Sequence, residues 1–164
     1  MATSNPIDAI TSRAKRSALA MRILVHPNIM LADAHFSGVK DAATARDNAT
    51  NSMFLMRAQR SCYEGAPCGV VGISTTLLEA MLELAKTYRF NVSEIAGGSH
   101  TKNSRHYAGV AMDITTINGE AVSTKNKFAG AFMTKCKTLG ATEVLGPGNP
   151  RHDGHIHAAW PRSK

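Results

Sequence analysis

The sequence predicts an α+β fold, with helices packed on a small sheet. Two observations carry this. Segments with helical periodicity fill the first half of the chain, whereas short runs with strand character gather after Phe90. The runs are separated by Gly- and Pro-rich turns, among them Asn118-Gly119, the strongest short hairpin signal.

Residues 6–25 predict a basic amphipathic helix. Ile7, Ile10, Ala14, Ala18 and Met21 fall near one face, and Arg13, Lys15, Arg16 and Arg22 lie mostly elsewhere. Its apolar face is Ala and Ile without aromatic anchors, so it is expected to pack on a core rather than lie on a membrane surface. His26-Pro27 ends it. Residues 41–60 predict a second helical stretch, with Met53, Phe54 and Met56 as core filler at its end. Residues 62–72 form a loop. Residues 74–89 are the strongest helix, capped by Ser74 or Thr75 and striped by Leu77, Leu78, Met81, Leu82 and Ala85. Residues 90–96 alternate as a strand broken by Gly97-Gly98. Residues 109–115 predict a strand, 127–139 a helix stopped by Gly140, 142–145 a short strand and 155–160 a last one. Trp160 is expected in the core.

The 164 residues suit one domain, and 43% hydrophobic residues supply a core. Net charge is +7, which draws the surface toward polyanions such as nucleic acid, anionic lipid or the bacterial envelope. No dense Lys/Arg run or Arg/aromatic interleaving marks a nucleic-acid groove, which disfavours that partner. Cys62 and Cys68 bracket a turn and fit either a short disulfide loop or two buried thiols, with Cys136 left over. No apolar stretch is long enough to span a bilayer. The start M-A-T-S-N-P-I-D lacks the order of a signal peptide, so action outside the cell of origin would need another carrier.

The chemistry concentrates late in the chain. R-H-D-G-H-I-H holds His152, Asp153, His155 and His157, three of the seven histidines. His155 and His157, two apart on a strand, face the same side. Upstream, S-R-H-Y-A-G-V-A-M-D supplies His106 before a turn and Asp113 in the following strand. His106, Asp113 and one histidine of the later pair make three ligands with a fourth position open, the pattern of catalytic zinc. Gly109 and Ala111 are small, as suits a strand passing close under a metal or another backbone.

S-x-H-x-x-G-x-A-x-D followed late by H-x-H resembles the LAS-type zinc peptidase superfamily, which unites D-alanyl-D-alanine carboxypeptidases, phage endolysin peptidases, murein endopeptidases and the hedgehog signalling domain. Ser104, His106, Gly109, Ala111 and Asp113 match the first motif, and His155-Ile156-His157 the second. The resemblance spans about Ser74 to Trp160. It implies a small, mostly antiparallel sheet of hedgehog/D-Ala-D-Ala peptidase type. It implies Zn2+ held by His106, Asp113 and His157, with His155 beside the metal as a catalytic group. Ser104, Tyr107, Ser99 and His100 are the expected substrate contacts, although His100 and His152 otherwise read as exposed loop residues.

Two departures stand out. Relatives place an acidic residue three before the last ligand, and here that position is Gly154. His155 assisted by Asp153 is the expected catalytic pair, with Glu143 and His152 as other bases. Relatives also carry a carboxylate-holding arginine in the 97–103 region, where Ser99, His100 and Lys102 stand here.

The expected function is a zinc peptidase that cleaves peptidoglycan stem peptides in the periplasm or cell wall, as carboxypeptidase or endopeptidase. It is expected to be delivered by a phage, as an endolysin or phage tail component, or by an injection machine. Residues 1–72 would form a helical extension, integrated with or docking onto a core at 73–164 and able to meet such a carrier. The alternative is a zinc-containing wall-binding or signalling module without hydrolysis.

Overall fold

The computed structural model describes residues 5–162. Four helices pack on a mixed, mostly antiparallel sheet, as the α+β expectation requires. The elements run α1 (Pro6–Leu24), β1 (Ile29–Leu31), α2 (Ala45–Met53), β2 (Ala58–Gln59), β3 (Val70–Val71), α3 (Thr75–Ala85) and β4 (Phe90–Glu94). A 3-10 turn (His106–Ala108), β5 (Ala111–Ile117), β6 (Glu120–Ala121), α4 (Ala129–Thr138), β7 (Glu143–Leu145) and β8 (Ile156–Ala159) follow. The main sheet has the order β1-β4-β5-β8-β7, with β6 folded onto β5, and its one parallel pair is β1–β4.

Local signals set most of these elements. The Asn5 side chain accepts from the Ile7 amide and Pro6 opens α1, where its missing N–H costs nothing. Thr44 and Asp47 form a reciprocal capping box on α2, and Ser74 caps α3. Asn118 and Gly119 take left-handed φ of 52° and 82°, which turns β5 into β6. Phe132 of α4 meets Phe90 edge-on at 5.4 Å over the sheet, and burial of such a side chain contributes about 1.5–3 kcal/mol. Trp160 is fully buried and donates Nε1–H to the Leu139 carbonyl.

Several expectations are corrected. In α1 the stripe expected inside lies outside: Ile7, Ile10, Ala14, Ala18 and Met21 are exposed, and Leu19, Ala20 and Ile23 are buried instead. Phe54 and Met56 are also exposed, because α2 stops at Met53 before it could carry them inward. The short strands β1, β2 and β3 were unforeseen. Cys62 and Cys68 are joined in a disulfide, and burial pushes the free Cys136 thiol up to about 12.

Gly109 shows the close approach its motif suggested, although it lies in the turn before β5 rather than in a strand. Its φ is +69°, and a Cβ there would stand 2.6 Å from the Gly72 carbonyl oxygen. The Gly109 carbonyl accepts from the Ser74 amide, so this contact ties the start of α3 to the chain beside His106.

Candidate metal centre

Three elements bring His106, Asp113 and His157 to one point. His106 opens the 3-10 turn, Asp113 lies within β5, and His157 stands directly opposite Asp113 in β8. Facing residues of an antiparallel pair project to the same side of the sheet. His106 Nε2 lies 3.2 Å from Asp113 Oδ1 and 3.1 Å from His157 Nδ1, and the latter two are 3.0 Å apart. All three side chains are buried.

The outer partners decide which ring nitrogens are free. His106 Nδ1 sits 2.7 Å from the Ile95 carbonyl, which can only accept, so Nδ1 carries the proton and Nε2 offers a lone pair. His157 Nε2 sits 2.9 Å from Glu143 Oε1, and the tautomer that donates there leaves Nδ1 bare toward Asp113 and His106. Two unprotonated nitrogens and a carboxylate oxygen therefore point at one another, an arrangement that a divalent cation satisfies. Burial alone would raise the Asp113 carboxyl, but His106 and His157 hold it well below the usual carboxylate range. Burial alone would lower His106, but Asp113 outweighs it and raises the imidazole. The cluster attracts positive charge, and its donors fit zinc: neutral imidazoles, one carboxylate and no thiolate.

His100 is corrected from an exposed loop residue. It is half-buried and stacks flat on His106, with ring centroids 3.9 Å apart and planes 8° apart. Burial, reinforced by His106, lowers its pKa to about 4, so it is neutral near pH 7. One of its ring nitrogens lies within 4.8 Å of donor atoms on His106 and Asp113, an alternative three-residue set. The His106–Asp113–His157 set is tighter, and His100 Nε2 is already 3.0 Å from the Gly97 carbonyl.

The other expected substrate contacts divide. The His106 amide donates to Ser104 Oγ, so Ser104 shapes the ligand turn. Buried Tyr107 accepts from the His100 amide and donates to its carbonyl, pinning that loop. Ser99 donates to the Glu64 carbonyl at the cleft wall.

Two clefts of about 600 and 560 Å³ meet at the cluster and share Ser99, His100, Asp113, Arg151 and His155. His155 is half-buried and has no hydrogen-bond partner among the described residues. Burial lowers its pKa against the pull of Asp113, which keeps a neutral ring able to accept a proton. Asp153 lines the larger cleft, but its Oδ1 accepts from the Gly148 amide and no hydrogen bond joins it to His155. Glu143 is committed to His157, and His152 Nδ1 to the Pro150 carbonyl.

A second polar cluster, around His35, lies outside both histidine motifs. His35 is buried, 2.7 Å from both Glu94 Oε2 and Asp41 Oδ1, with Ser61 Oγ at 3.3 Å. Glu94 also accepts from the Phe36 amide and lines the larger cleft. Its place on the strand face of Phe90 and Val92 was the available signal, since a charge on an apolar face asks for a partner. Burial would lower the His35 pKa, but its hydrogen bonds to Asp41 and Glu94 raise it. A raised folded pKa gives stability that is fully present below the unfolded value of about 6.5 and lost as pH rises through the folded one. His35→Ala strands a buried carboxylate and is expected to cost about 3–5 kcal/mol in urea unfolding. The gap from wild type should be wider at pH 5.5 than at pH 9, and a cost below about 1 kcal/mol at both would show that the cluster contributes little to stability.

No family model matches the chain, and no solved structure matches it. Among curated proteins it is similar to a zinc D-Ala-D-Ala carboxypeptidase from Streptomyces albus G, with 32% identity over 122 residues. The similarity covers 74% of this chain and 39% of that protein, so the chain spans about two fifths of its relative's length.

Proposed function

We propose that this chain, a member of the LAS-type zinc peptidase superfamily, is a zinc-dependent peptidase acting on the peptide stems of bacterial peptidoglycan. The observation that carries the proposal is the convergence of His106 Nε2, His157 Nδ1 and Asp113 Oδ1 on one buried point where two clefts meet. The similarity to a zinc D-Ala-D-Ala carboxypeptidase supports both the ion and the substrate class.

His106 Nε2, Asp113 Oδ1 and His157 Nδ1 would hold the zinc. When bound, the ion supplies Lewis acidity toward a scissile carbonyl and lowers the pKa of water. The remaining work falls to side chains. The Ile95 carbonyl and the Glu143 carboxylate orient the two imidazoles from behind, through His106 Nδ1 and His157 Nε2. His155 stands at the mouth of both clefts, neutral and unpartnered, so it takes the proton of the attacking water and returns it to the leaving amine. The charge of +7 draws the protein to the carboxylate- and phosphate-bearing wall.

The first 72 residues belong to the same body in this reading. β1 extends the sheet beside β4, and His35 grips Glu94 from the N-terminal side. Delivery to the wall by a phage or an injection machine is part of the proposal. No described helix is long and apolar enough to cross a membrane.

Purified peptidoglycan fragments incubated with the zinc-loaded protein should yield a product by mass spectrometry, and a chelator should abolish it. The product mass names the bond. A zinc-containing protein that yields none would favour the wall-binding or signalling module, for which Gly154 at the usual acidic position is the specific observation.

A further inference from the structure

We infer that a third pocket, lined by Arg16, Arg57 and Arg162, binds a phosphate group. Its source is either free phosphate or the phosphate of an envelope polymer, and the inference is independent of the peptidase reading.

The pocket has a volume of about 350 Å³ and shares no lining residue with the two clefts at the metal cluster. Stretches distant in sequence meet there. Ser12 and Arg16 come from α1, Arg57 from the chain after α2, residues 71–75 from the start of α3, and Arg162 from the C-terminal segment. Ala108 and Val110 complete the wall, on either side of the Gly109 turn. No Asp or Glu lines the pocket. Three guanidinium groups therefore share one concavity without a carboxylate.

Like charges gathered in this way repel one another unless a counter-charge joins them. Arg16 shows the effect: burial, and then the charges of Arg13 and Arg57, lower its pKa. It is nevertheless held in place. Its Nε donates to the Ile73 carbonyl at 2.6 Å, and its Nη2 lies over Gly72, where a Cβ would stand 3.2 Å away.

Most of the donors are unused. A guanidinium carries five N–H groups. Arg16 spends one on Ile73, Arg162 spends one on the Asn103 carbonyl, and Arg57 makes no side-chain hydrogen bond among the described residues. Ser74 Oγ accepts from the Leu77 amide, so its own hydrogen remains to be given. The positive end of α3 lies on the same wall. A carboxylate, with one charge and two oxygens, would leave most of this set idle. A phosphate offers more charge and more acceptor oxygens, and the planar arginine fork matches it in pairs of parallel hydrogen bonds.

The test titrates the zinc-loaded full chain with millimolar inorganic phosphate, against sodium chloride at matched ionic strength. Melting temperature and calorimetric titration are the readouts. Phosphate should raise the melting temperature, because its occupancy ties distant segments together, and chloride should not. Phosphate also meets zinc, so the variants decide. Arg57 and Arg162 are exposed, and their substitution leaves the core intact. Arg57→Gln and Arg162→Gln should each raise the Kd for phosphate about 10–100-fold with zinc content unchanged, and Arg57→Lys should keep part of the affinity. A short poly(glycerol phosphate) chain separates the two sources. Tighter binding of the chain than of phosphate, lost in the same variants, assigns a polymer phosphodiester, and tighter binding of phosphate assigns the free ion. Equal stabilisation by chloride, no binding of either probe, or an unchanged Kd in both Gln variants would overturn the inference.

Discussion

His106→Ala loses zinc and activity together. His106 is fully buried, its Nε2 is one of three donors within about 3 Å, and no described side chain stands ready to replace it in that position except stacked His100. The zinc content of the purified protein, read by elemental mass spectrometry, should fall from about one ion per chain toward zero, and turnover with it. Glu143→Gln offers a graded companion. It weakens only the outer grip on His157 Nε2, so metal affinity should drop about 10–100-fold while saturating zinc restores turnover. The substitution at His106 also leaves the Ile95 carbonyl without its donor, at a cost of about 1–3 kcal/mol, so circular dichroism must show a folded chain. A folded His106→Ala protein with full zinc and full turnover would remove the proposed centre altogether.

His155→Ala keeps the zinc and loses turnover by about 10²–10⁴-fold, the usual contribution of a positioned acid–base group. The physical basis is its separation from the ligand set. His155 belongs to neither the three-donor cluster nor any hydrogen bond among the described residues, yet it lines both clefts beside Asp113. Its loss should move the melting temperature little, since the ring is half exposed. Asp153→Asn gives the comparison. Asp153 is tied to the Gly148 amide rather than to His155, so it should lose far less than His155→Ala. Full activity in His155→Ala would return the base to Asp153, Glu143 or His152.

Much of the site was legible because its signal is spacing along the chain. Two histidines two apart on a strand, and a histidine seven before an aspartate across a turn, constrain which side chains can meet. Register then pairs Asp113 with His157. The helices at 74–89 and 127–139 were legible for a similar reason, since caps and a stop glycine are local chemistry.

What remained hidden depended on contacts between distant segments. A helix read alone offers more than one apolar stripe, and only contact with α2 and α3 turned Leu19, Ala20 and Ile23 inward and left Ile7 and Ile10 outside. β1 is a three-residue strand, too short to show an alternation, and it exists because β4 offers an edge. The ring orientations were invisible too, since they are held by Ile95 and Glu143, distant in sequence from the motif residues they orient. The same holds for His35, which became a buried ion-pair partner only when β4 carried Glu94 beneath it. By itself the sequence determined which residue types could hold a metal and the local elements that carry them. The tertiary structure alone decided which faces are buried, which donor atoms converge and which arginines share a pocket, because those depend on atoms brought together across many residues of chain.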